Sequence, residues 1–247
     1  MDKMVYIAAS GAKQSMQGLA LKANNLANAN TTGFKADFAQ ARSMQAFGEG
    51  LPSRVFSMQE RPGSNMTSGG IIDTGRDLDI AMSDNAWLSV QDASGNEAYT
   101  KVGTLNITAQ GALVTSHGRQ VIGEGGPVIL PVPIEKIQFS EDGAIQVRPQ
   151  GAPANFLEEV DRLRVVEADN TQLEKGNDGL FRPKPDQFVD TSENVKVING
   201  SLEMSNVNPV HEMVDMINHQ RQFELQVKLM KTAEELDETQ DQLLRIV

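Results

Sequence analysis

Apolar and small residues recur at threes and fours from Asp2 to about Asn28, at Met4, Ile7, Ala8, Gly11, Ser15, Gly18, Leu21 and Leu26. That is the spacing of one face of a helix, and it predicts a helix over this stretch. Ala8, Gly11, Ser15 and Gly18 are small, and each glycine weakens a lone helix by up to about 1 kcal/mol. Such a stripe suits the close approach of a second helix. Asn24, Asn25, Asn28 and Asn30 then crowd the end of the pattern, and Gly33 fits a left-handed helix ending. The helix is expected to stop between Asn28 and Gly33.

From residue 36 to about 70 the periodicity is lost among Gly48, Gly50, Pro52, Pro62 and Gly63, which reads as an extended connector with room for a short helix before Phe47. From 71 to about 166, short alternating runs punctuated by turns mark β structure. In "WLSVQDASGNEAYTKV" the pair Gly95 and Asn96 predicts a hairpin turn. In "IQFSEDGAIQV" Ile137 and Phe139 face Ile145 and Val147 across Glu141, Asp142 and Gly143. Leu105, Ile107, Leu113, Val114, Val121, Ile122, Val128 and Leu130 are the expected further core, and Val195, Val197 and Ile198 a late strand.

A second long helix begins at Asn208 and Pro209, a capping residue followed by one favoured at a first helical position. Val210, Met213, Val214 and Ile217 form one stripe on it. Leu225, Leu229, Thr232, Leu236, Thr239, Leu243 and Ile246 form another, at alternating fours and threes. Such a helix, about 38 residues, would be about 57 Å long. A chain that leaves along one helix and returns along the other pairs them antiparallel. The expected fold class is therefore α+β, with a mainly-β central domain inserted between N- and C-terminal helices that pair as an antiparallel coiled coil. The expected segments are 1–35, 36–70, 71–204 and 205–247. Two helices alone bury little, so neighbouring molecules are expected to complete their packing.

Charge narrows the partners. The 247 residues carry 22 basic and 33 acidic side chains, a net charge of −11, which argues against phosphate-led nucleic-acid binding and against anionic membranes. With no cysteine there are no disulfides or thiolate sites. No apolar run approaches a membrane span, and the first 18 residues lack the basic start and apolar core of a cleavable signal peptide.

Candidate chemistry is sparse. "IIDTGRDLD" carries the Asp-Thr-Gly of an aspartic protease at Asp73, but that chemistry needs two carboxylates sharing a proton, and Arg76 stands where such enzymes have a small residue. The competing reading is a structural turn. His117, His211 and His219 show no ligand spacing of three or four. "GEGGP" at 123–127 opens no helix and lacks the lysine of a phosphate loop. Asp77, Asp79 and Asp84 do not follow a calcium-loop pattern and are expected to be solvated. Trp87 is expected in the core, and Met213, Met216 and Met230 in helix packing. No cofactor, metal or small-molecule substrate is expected. The asparagines have two readings, as fraying and capping residues or as two-way hydrogen-bonding groups at an assembly joint.

The run from Ala23 to Lys35, "ANNLANANTTGFK", closely resembles the N-terminal signature of the bacterial flagellar rod and hook proteins. The resemblance continues through 99–103 and "GALVTSHGRQVIG" and closes with 205–210, Glu212, Met213, Arg221, Phe223, Glu224 and Lys228, covering essentially the whole chain. It is nearest to proximal rod members, while Asn85-Ala86-Trp87-Leu88 departs from the family's usual glycine and phenylalanine. The resemblance implies a non-enzymatic subunit of the basal-body rod in the periplasm, partnered by copies of itself and other rod proteins. It also implies delivery by the flagellar type III export apparatus without a cleaved signal peptide. Asn24, Asn25, Leu26, Ala27, Asn28, Asn30, Gly33 and Phe34 would then form the assembly motif. Met4, Ile7, Gly11, Gly18, Val210, Met213, Ile217, Phe223, Leu225, Leu229, Leu236 and Leu243 would serve helix packing. A distal rod or hook subunit, a secreted coiled-coil adaptor and a homodimeric protease using Asp73 are the competing assignments.

Overall fold

The computed structural model describes residues 2–39, 41–45, 55–59, 63–153, 156–169, 171–185, 187–189, 191 and 196–244. They form two compact units, one of residues 1–29, 37–63 and 207–247, the other of 30–36 and 64–206.

In the first unit, α1 (Asp2–Ala27) and α2 (Pro209–Leu244) run antiparallel. The Asn208 side chain starts α2 by accepting from the Val210 and His211 amides at 3.1 and 3.2 Å. The helix expected before Phe47 is not formed. Ala41–Gln45 is a strand paired with Val55–Gln59, in register from Ala41 opposite Gln59 to Gln45 opposite Val55. A ladder satisfies backbone groups that so short a helix would leave open at both ends. Phe47 itself lies outside the described residues.

The second unit is built from antiparallel strands. Its five-stranded sheet runs Val165–Glu167, Ala86–Gln91, Glu97–Thr100, Phe181–Pro183, Leu173–Lys175. Leu88 to Gln91 pair with Thr100 to Glu97 across a turn in which Gly95 takes φ 86, a conformation glycine supplies without strain. In the three-stranded sheet Ile137 lies opposite Val147 and Phe139 opposite Ile145, the register that alternation predicts. Val197–Asn199 pairs with Ile80–Met82, whereas Val195 lies outside the described residues. The core gathers Ile80, Leu88, Leu105, Leu113, Val121, Val128, Leu130 and Ile145, while Ile107, Val114 and Ile122 are half-buried. Trp87 is buried in a smaller cluster, its ring 4.6 Å from that of Phe181.

The chemical candidates resolve into turns. Asp73 is exposed and accepts the Gly75 amide at 3.0 Å. Asp79 departs from expectation: it is buried, bound by the Thr74 hydroxyl at 2.8 Å and by Arg76 at 3.3 Å, because the turn folds its own donors over the carboxylate. "GEGGP" is a tight hairpin pairing Ile122 with Pro127.

Candidate functional site

The helix pair is closed by small residues receiving long ones. A Cβ on Gly11 would lie 2.9 Å from the Gln226 amide carbon, and one on Gly18 would lie 2.6 Å from the His219 ring. Ala8, Ala12, Ser15 and Ala233 are buried. Further along, Lys22 bridges Asp215 at 2.8 Å and Glu212 at 3.3 Å. Burial works to lower the Lys22 pKa, but its bonds to Asp215 and Glu212 outweigh that and raise it. The same hydrogen bond holds the Asp215 carboxyl below its ordinary range. Gly11, Gly18 and Asn25 on α1 thus meet Gln226, His219 and Glu212 on α2, a seven-residue step on both helices.

Asn25 is the one fully buried asparagine of the motif. Its amide nitrogen donates to the Asp37 carbonyl at 2.8 Å and to Glu212 at 3.3 Å, and its oxygen accepts the Asp37 amide at 2.9 Å. The side chain therefore imitates a strand partner for the backbone at Asp37 while sealing the seam. Asn24 is exposed, and its carbonyl accepts the Asn28 side chain at 2.9 Å. Leu26 is half-buried, and Ala27 and Asn30 are exposed.

Gly33 and Phe34 belong to the second unit. Gly33 takes φ 68, donates its amide to the Glu203 carbonyl at 2.8 Å, and has no room for a Cβ against the Lys101 backbone. The Lys175 ammonium sits 4.1 Å over the Phe34 ring. Beside them is a charge cluster that periodicity did not reveal. Glu203 is buried between Lys35 at 2.6 Å and Lys101 at 3.4 Å. Lys35 also donates to the Thr67 carbonyl, Lys101 to the Ser83 and Asp84 carbonyls, and the Gly69 amide to Glu203. Burial pulls the Lys101 pKa down to about 8, with Glu203 opposing that shift and Lys35 adding to it. The available signal was slight: in "GFK" and "SLE" a charge directly follows Phe34 or Leu202, and in "YTK" it stands two residues after Tyr99.

Among the described residues, the apolar stripes of α2 stay outside the seam. Val210 is 71 % exposed and Leu225 61 %, and Met213, Ile217, Phe223, Leu229 and Leu236 are exposed as well. The seam positions Gln226 and Ala233 each follow a member of the heptad row, Leu225 and Thr232, by one residue, a turn of about 100°. Ile7 is half-buried on α1, and the side chains of Met4 and Leu243 lie outside those described. Among the described residues no cluster of metal-ligating side chains occurs, and no helix is long and apolar enough to cross a membrane.

Fold and site together define a class in which a β unit is inserted between terminal helices that pair through small residues. Comparison with known proteins specifies it. Residues 5–35 match the model of the flagella basal body rod protein, 81–147 that of the flagellar hook protein FlgE/F/G D1 domain, and 198–243 that of the flagellar basal body rod FlgEFG protein C-terminal region. The chain is 37 % identical to the flagellar basal-body rod protein FlgF of Escherichia coli, over 99 % of both chains, and 37 % identical to that of Salmonella typhimurium, again over 99 % of both. It is 30 % identical to the rod protein FlgG of Agrobacterium fabrum, over 95 % of this chain and 96 % of the other. The chain belongs to the flagellar basal-body rod protein family.

Proposed function

We propose that this chain is a structural, non-catalytic subunit of the flagellar basal-body rod, in its proximal part. It polymerises through its terminal helices into the shaft that carries motor torque towards hook and filament. The observation that carries this reading is the open apolar face of α2, standing beside a seam already closed by small and polar residues. Copies of the chain and other rod proteins are the partners such a face requires, because apolar side chains exposed in rows along a helix mark an interaction site. The 37 % identity to the FlgF proteins of Escherichia coli and Salmonella typhimurium, against 30 % to the FlgG of Agrobacterium fabrum, supports the proximal position. Delivery through the flagellar export apparatus to a rod in the periplasm completes the reading.

The test is direct. Basal bodies purified from the encoding bacterium should contain the chain by mass spectrometry, and deleting its gene should abolish swimming until a plasmid copy restores it. Basal bodies free of the chain, in a deletion strain that swims normally, would overturn the assignment.

A further inference from the structure

The segment 33–36 is held almost wholly by residues that come far later in the chain. The Gly33 amide donates to the Glu203 carbonyl at 2.8 Å, the Asn206 amide to the Phe34 carbonyl at 3.4 Å, and the Ala36 amide to the Asn206 side chain at 2.8 Å. The Lys35 ammonium is bound by the Glu203 carboxylate at 2.6 Å, and the Lys35 carbonyl accepts Lys175 at 3.0 Å. Lys35, Lys101 and Glu203 are themselves buried to 1–2 % exposure. A buried ammonium without a counter-charge is among the costliest groups in a protein. With Glu203 absent, neither Lys35 nor Lys101 has a carboxylate partner within the cluster.

We propose that the Lys35–Glu203–Lys101 cluster is a charge-compensated latch that docks segment 30–36 and segment 200–206 onto the β unit as a single event. A chain made from its N-terminus carries both lysines before it carries the carboxylate. Its N-terminal segment therefore stays undocked until residues 203–206 arrive. The latch is a property of the second unit in solution and does not rest on the rod assignment. Two lysines against one glutamate leave an excess positive charge, so deleting the carboxylate harms more than deleting either lysine. The order has a signature: removing Lys35 should partly rescue the loss of Glu203.

The experiment uses the full-length chain, with amide hydrogen exchange at Gly33 and Ala36 and a urea midpoint read by Trp87 fluorescence. In Glu203→Gln both amides should exchange at least tenfold faster than wild type, a larger change than at Val147 and Leu88. In Lys35→Met/Glu203→Gln the urea midpoint should lie above that of Glu203→Gln. Unchanged exchange at Gly33 and Ala36, or a double variant less stable than Glu203→Gln, would overturn the latch. Should Glu203→Gln fail to fold, Lys35→Met decides, since it leaves the Glu203–Lys101 pair neutral. It should keep the Trp87 emission and selectively lose Gly33 and Ala36 protection; retained protection would overturn the proposal.

Discussion

Two adjacent asparagines in one helical turn have unequal duties. Asn25 is bonded through both ends of its amide to the Asp37 backbone and touches Glu212, whereas Asn24 is exposed. Asn25→Ala strands partly buried backbone groups of Asp37 and should cost about 1–3 kcal/mol in urea unfolding, while Asn24→Ala should stay within about 0.5 kcal/mol. Lys101 gives a pH signature. Its pKa is about 8 in the fold against an ordinary 10.5, with Glu203, Lys35, Asp84 and the Trp87 ring around it. Between those values the unfolded chain binds more protons, so stability rises with pH there. The unfolding free energy of wild type relative to Lys101→Met should climb from pH 8 to 10.5 by up to about 3 kcal/mol, and a flat difference would contradict the burial of that charge.

At the scale of elements, the α1 seam works because its side chains are short. Gly18→Ala would by itself favour helix by about 1 kcal/mol. Its Cβ, however, would stand 2.6 Å from the His219 ring, so the helix pair should loosen and unfold at lower urea by circular dichroism at 222 nm. Adding His219→Ala should recover the midpoint; a double variant no better than Gly18→Ala would place the clash elsewhere. Both helices and the two clearest hairpins were legible in the sequence, because Asn208, Gly95 and Gly143 punctuate strongly periodic runs. The orientation of α2 was not. An apolar heptad row suggests a seam, yet α1 offers Gly11, Gly18 and Asn25, which accept Gln226, His219 and Glu212 in preference to leucine.

Across the whole molecule, the three family segments at 5–35, 81–147 and 198–243 each contribute one member of the buried charge cluster, Lys35, Lys101 and Glu203 in turn. No local pattern could expose that arrangement, since isolated charges in a sequence ordinarily face water and these meet only through long-range closure. The assembly reading rests on the division of labour in α2, one face closed on α1 and the other left apolar and open. The decisive measurement is of Leu225→Glu/Leu229→Glu/Leu236→Glu, replacing the wild-type gene in the encoding bacterium, with the purified protein checked in parallel. Wild-type helicity and an unchanged urea midpoint in solution are expected, together with basal bodies that lack a completed rod and cells that do not swim. Complete rods and normal swimming would contradict the assembly reading.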